Sequence, residues 1–142
     1  MKRKAMAQWR GDLKTGKGTL TTDSGVLDAA PYSFTTRFEG EKGTNPEELV
    51  AAAHAGCFTM ALSAELGKVN LVAESLRTTA VVSLEKDAGG WSITESALDL
   101  VARIPGASDE AFRAAAASAE ANCPLSKLLK AKITLTARLE TP

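Results

Sequence analysis

The chain has 142 residues, of which 44% are apolar, enough for one ordinary core. Its 17 basic and 17 acidic residues cancel, and no basic stripe appears, which disfavours nucleic acid as a partner. No apolar leader follows Met1-Lys2-Arg3-Lys4 and the two cysteines come with a single histidine, a pattern that fits a reducing, cytoplasmic setting and makes a poor zinc set.

In chain order, residues 5–12 and 17–23 read as a hairpin that turns near Lys14-Thr15-Gly16. Gly25 and the Asp28–Pro31 cluster mark a loop. In PYSFTTRFEG, residues 31–40, Tyr32, Phe34, Thr36 and Phe38 alternate with Ser33, Thr35, Arg37 and Glu39, which predicts a strand with Arg37 on its polar face. Gly40 to Thr44 is a short charged loop.

The next stretch, Asn45 to Lys68, predicts one long helix. Asn45 suits the N-cap, Pro46 the first turn, and Glu48 completes a capping-box pattern. Gly67 or Asn70 would stop it. From Leu49 to Ala64 the only ionisable side chains are His54 and Cys57, and apolar residues go nearly all the way round, so the helix is expected to be buried. Polar and small residues interrupt it too often for a membrane span.

Residues 73–86 and 91–104 read as a second hairpin around Asp87-Ala88-Gly89-Gly90, with a bulge in the irregular second strand. Ser108 caps a helix to about Ala121, Asn122-Cys123-Pro124 breaks the chain, PLSKLLKA restarts it, and residues 132–140 close it as a strand. The order predicts a single α+β domain, residues 1–142, with antiparallel sheets. No repeat or linker is visible.

Four residues draw chemical interest. Cys57 sits mid-helix, where a free cysteine is either a small core hydrophobe or a nucleophile. Cys123 precedes a helix start that favours a thiolate. The two are either a peroxidatic and resolving pair or two independent core cysteines; spacing does not decide. His54, three residues before Cys57, is either a hydrogen-bonded core histidine or the base of a Cys–His pair. Arg37 is an exposed arginine or the permanent cation that a buried thiolate needs, and Glu47 is an N-terminal carboxylate or the bidentate holder of that arginine.

RFEGEKGTNPEELVAAAHAGCF, Arg37 to Phe58, resembles the osmotically inducible protein C (OsmC) family, related to the organic hydroperoxide resistance (Ohr) proteins. The likeness continues in Gly25-Val26-Leu27 and in NCPLSKLLKAKITL, Asn122 to Leu135, and GEKGTNPEEL is similar to the OsmC branch. The resemblance implies an intertwined homodimer with antiparallel sheets around central helices, and a cytoplasmic thiol peroxidase for stress defence. The resemblance further implies that organic hydroperoxides are reduced, and hydrogen peroxide more weakly. By this resemblance Cys57 is the peroxidatic cysteine, Cys123 the resolving one, and Arg37 with Glu47 the activating pair. The reductant would be an external dithiol such as a dihydrolipoyl protein. No metal, flavin or nucleotide signature is present, so no cofactor is expected. The rival readings are a Cys57–His54 hydrolase and a non-enzymatic dimeric binding protein. The apolar neighbours of Cys57 in sequence (Val50, Ala53, Phe58, Met60, Ala61) favour an alkyl peroxide. Glu47 and Cys57 are ten residues apart, about 15 Å along one helix, so Glu47 is expected to serve the Cys57 of a second copy.

Overall fold

A computed structural model describes residues 1–140, which form two compact units, Met1–Leu49 and Val50 onward. The first unit is a three-stranded antiparallel meander, β1 (Ala5–Arg10), β2 (Lys17–Thr22) and β3 (Ala30–Tyr32). Asp12 ties the first turn: its carboxylate accepts the N–H groups of Lys14 and Thr15, both at 2.9 Å. Gly18 on β2 is forced by crowding, since a Cβ there would fall 2.5 Å from the Tyr32 ring and 2.6 Å from that of Trp9. Without it the two rings could not lie 5.5 Å apart over the strand.

The strand expected over residues 31–40 is not formed beyond Tyr32. The chain turns instead into a short helix, α1 (Phe34–Phe38). Ser33 caps it: its Oγ accepts from the Thr36 N–H at 3.2 Å, and Thr36 Oγ1 accepts from the Ser33 N–H at 2.9 Å. Phe34 and Phe38, one turn apart, bring their rings to 4.9 Å. The period-2 alternation was outweighed by a local capping box and an i,i+4 aromatic pair.

The long helix forms as expected, α2 (Pro46–Lys68). The Glu48 N–H donates to Asn45 Oδ1 at 2.9 Å, while the Glu48 carboxylate accepts from the Thr44 hydroxyl at 3.1 Å, so the cap is one-sided. Asn70, at φ +58°, is the stop: Leu71 N–H reaches Leu66 O at 3.0 Å and Asn70 N–H reaches Gly67 O at 3.2 Å. Burial differs from expectation. His54, Phe58, Leu62 and Leu66, a stripe at four-residue spacing, are buried, while Met60 is 76% exposed. One chain has only one core to offer the helix. By length and composition α2 could cross a bilayer, but its stripe belongs to the core of the second unit.

That core lies on a second sheet, β4 (Ser75–Asp87), β5 (Gly90–Arg103) and β6 (Lys132–Leu139), in the order β4-β5-β6. The register slips between Ser83 and Leu84, opposite Glu95 and Ile93, which places the expected bulge at Thr94. Beyond it Ser96, Leu98, Leu100 and Ala102 face inward. β6 pairs with β5 in parallel, not antiparallel as the sequence reading had it. The connection through α3 (Asp109–Asn122) and α4 (Pro124–Leu128) is long and helical, which is what a parallel neighbour requires. Ser108 caps α3, and Phe112, Ala115, Ala116 and Ala119 turn its apolar side to the same core as Leu98 and Leu100.

Candidate active site

Cys57 lies on the half-buried flank of α2, one residue before core Phe58. Cys123 joins α3 to α4 and is fully buried. Both are free thiols, and they meet: each acts directly on the ionisation of the other. The core packs α2 and the α3–α4 junction together, which brings the two cysteines to one place.

Their environments differ. Burial pushes the Cys57 thiol above its ordinary range, the Leu125 N–H offsets part of this, and Cys123 raises it further. Burial also works against the Cys123 thiolate, but the Ser126 N–H, the Cys57 thiol, the Ser126 hydroxyl and the Leu125 N–H outweigh it and bring Cys123 below its ordinary value. Within this one chain the more acidic thiol is therefore Cys123, as its position ahead of α4 suggested, while Cys57 lacks the lowering expected of it.

His54 is fully buried, with Nδ1 2.7 Å from Ser96 Oγ and Nε2 2.9 Å from Ser126 Oγ. Both ring nitrogens are engaged by serines, so the ring is not the partner of Cys57 and the core reading of His54 holds. Burial lowers its pKa and favours neutral imidazole. Ser96 and Ser126 were missed from sequence. Ser96 left a trace as the one hydroxyl among the inward residues of β5, and Ser126 as the hydroxyl three places after Cys123.

In the first unit Arg37 stands on the last turn of α1, not on a strand. Its Nε donates to Glu47 Oε2 at 3.1 Å and its Nη2 to Glu47 Oε1 at 2.6 Å, a bidentate fork. The Arg37 side chain is 36% exposed and that of Glu47 13%. The guanidinium also stands 5.2 Å from the Phe38 ring centre. Beside this pair lies a recess of about 280 Å³ lined by Trp9, Leu13, Tyr32, Phe34, Arg37 and Phe38. The apolar neighbours of Cys57 counted from sequence do not form one surface: Phe58 points into the core and Met60 to solvent. No group of three His, Cys, Asp or Glu among the described residues could hold a metal ion.

Known proteins share this arrangement of elements. The chain is 52% identical to the peroxiredoxin OsmC of Escherichia coli (strain K12) over 139 residues, 98% of this chain and 97% of the relative. It is 33% identical to the organic hydroperoxide resistance protein OhrB of Bacillus subtilis (strain 168) over 125 residues, 87% and 89% of the two chains. The crystal structure of OhrB from Bacillus subtilis superposes with a TM-score of 0.68 at 29% identity, covering 96% of this chain and 98% of that one. An OsmC-like protein of unknown function from Vibrio cholerae shares the fold at a TM-score of 0.77, with 18% identity and coverage of 97% and 99%. The family model for OsmC-like proteins matches residues 39–138, across both compact units. By near-complete sequence likeness and a common α+β fold, this chain belongs to the OsmC-like family.

Proposed function

We propose that this chain is a thiol peroxidase that reduces organic hydroperoxides, and hydrogen peroxide more weakly, in stress defence. The observation that carries it is the direct meeting of the Cys57 and Cys123 thiols. The Cys57 thiolate attacks the distal oxygen of the hydroperoxide. A sulfur–oxygen bond forms, the oxygen–oxygen bond breaks, and the alkoxide leaves as the alcohol after taking a proton. Cys123 then attacks the Cys57 sulfenic acid, a disulfide forms, and the released hydroxide becomes water. An external dithiol, such as a dihydrolipoyl protein, reduces the disulfide by exchange in the cytoplasm. The apolar recess beside Arg37 supports an alkyl or aryl peroxide over a small polar one.

Cys57 needs a cation, because burial alone leaves its thiol protonated at neutral pH. Arg37, aligned by Glu47, fits that role, and its guanidinium would also stabilise the departing oxyanion. We place this pair at the Cys57 of a second copy in a homodimer. Glu47 and Cys57 stand ten residues apart on one continuous helix, about 15 Å of rise, beyond the reach of a glutamate side chain. The exposed apolar flank of α2, with Met60, supports a second copy as its cover.

One equivalent of cumene hydroperoxide should remove two hydrogens from the mass of the reduced protein and no more; an unchanged mass would refute the peroxidase. For the shared site, Cys57→Ser chains are mixed with Glu47→Ala chains. A mixed dimer then keeps one intact site if sites are shared and none if they are not. Activity no greater than the average of the two parents would exclude sharing.

A further inference from the structure

The peroxidase mechanism uses Cys123 but leaves unexplained what lies behind it. Ser126, in the first turn of α4 three residues after Cys123, has its hydroxyl 2.9 Å from His54 Nε2 and favours ionisation of the Cys123 thiol. Across the ring, His54 Nδ1 lies 2.7 Å from Ser96 Oγ on β5. Ser96 and His54 are sealed from solvent within an apolar core. Such a polar chain is costly to bury unless every member is satisfied, and each one is. Ser96, His54, Ser126 and Cys123 thus run in series from β5 through α2 to α4.

Once Cys123 is ionised, as its attack on Cys57 requires, it fixes the direction of the protons. A thiolate can only accept, so the Ser126 hydroxyl then donates to Cys123. That hydroxyl has one hydrogen, so Ser126 Oγ accepts from His54 Nε2–H. Burial keeps the imidazole neutral, with a single N–H, so Nδ1 is bare and accepts from the Ser96 hydroxyl. All three hydrogen bonds then point the same way, and each polarises the next toward the sulfur. Reversing the chain, as a protonated Cys123 would allow, requires the other histidine tautomer.

We propose that His54 and Ser126 are positioning residues for disulfide closure, holding the Cys123 sulfur ready as the nucleophile that attacks Cys57. In that step the Cys123 thiolate forms the bond to Cys57 Sγ, and the group carried by Cys57 departs with the electron pair of the bond that breaks. The inference rests on the thiol-peroxidase reading for its natural oxidant, hydroxide then being the departing group, but closure can be driven without peroxide.

The test converts Cys57 to a mixed disulfide with 5-thio-2-nitrobenzoate and follows release of the coloured thiolate as Cys123 attacks. Ser126→Ala should slow release about tenfold at pH 7, the scale of one hydrogen bond to a charged group, and move the pH midpoint of closure upward. Ser126→Thr, which keeps the hydroxyl, should restore most of the rate. His54→Leu should slow closure when Ser126 is present and add nothing to Ser126→Ala, because it acts through that serine. Closure at the wild-type rate in Ser126→Ala, or a His54→Leu effect that adds in full, would overturn the proposal. If His54→Leu does not fold, the alanine and threonine variants of Ser126 decide alone. A wild type that closes the mixed disulfide but never consumes cumene hydroperoxide would sink the peroxidase reading and leave this one standing.

Discussion

The two units hold their reactive groups by opposite means. In the first, Arg37 and Glu47 are fixed by formal charge and a planar fork, close to solvent. β1 is exposed throughout, and little but Ser33 and the glycines facing Trp9 and Tyr32 is buried there. In the second, Cys57 and Cys123 sit against a core of Phe58, Leu100 and Phe112, and their polar neighbours are neutral: two serines, one uncharged histidine and backbone N–H groups. A charged pair near water tolerates neighbours and keeps its charge at any ordinary pH. A neutral chain in a core depends on where each proton sits. The first unit therefore holds a permanent cation, while the second holds thiols whose ionisation depends on the neutral groups around them.

The largest break in this contrast removes the sulfur itself. Cys57→Ser should abolish consumption of cumene hydroperoxide. Cys123→Ser should complete one rapid turnover and then stall or over-oxidise, since the sulfenate forms with no internal thiol to resolve it. Steady cycling of Cys123→Ser with a dithiol at the wild-type rate would remove Cys123 from the mechanism.

Next comes the difference in packing. Phe112 is completely buried on α3, whereas Trp9 is 37% exposed on β1. Phe112→Ala should cost about 3–5 kcal/mol of unfolding free energy, because it empties a close-packed site. Trp9→Ala should cost roughly 1 kcal/mol, the scale of one exposed aromatic contact with Tyr32. Urea titrations of the two variants would compare them; equal losses would mean that the first unit is far better covered in solution than the single chain suggests.

A smaller effect is expected at the charged pair. Arg37→Ala should lower the peroxide rate about a hundredfold, as loss of one preorganised charge donor does. Arg37→Lys should recover only part, since an ammonium keeps the charge but not the fork that Glu47 grips. Both variants should raise the pH at which the Cys57 thiolate absorbs. An unchanged midpoint in Arg37→Ala would disconnect the guanidinium from the thiol.

Much of this was legible in the sequence, and what was not has physical causes. Asn45-Pro46 announced α2 because capping is local chemistry. The bulge was visible as a break in alternation near Ser96. The alternation from Tyr32 to Phe38 misled because the same residues satisfy a short capped helix, and Ser33 tipped the balance. The parallel pairing of β6 was hidden because strand direction depends on a crossover that no local pattern encodes. At the candidate site, Arg37, Glu47, Cys57 and Cys123 were visible through a family resemblance, not through spacing. Ser96 and Ser126 escaped because an isolated serine carries no periodic signal. Their importance comes only from His54, which draws β5 and α4 to one ring.

That ring gives the smallest and most specific prediction. Burial depresses the His54 pKa below its ordinary 6.5. The folded chain therefore binds its proton less readily than the unfolded chain does. As pH falls below about 6.5 the unfolded state takes up a proton that the native state refuses, so stability is full above that pH and declines as the pH drops toward the folded value. Asp12 and Glu65, lowered from ordinary values of 3.8 and 4.5, titrate below this window and do not obscure it. The Cys123 thiol is removed from the comparison by working in a Cys123→Ser background. Between pH 7 and pH 5.5, that protein should lose more in Tm than the same protein carrying His54→Gln, which can bond both serines but cannot be protonated. Parallel losses in the two proteins would mean that His54 takes up its proton as easily folded as unfolded. The buried neutral chain would then not be the feature that separates the second unit from the charged pair of the first.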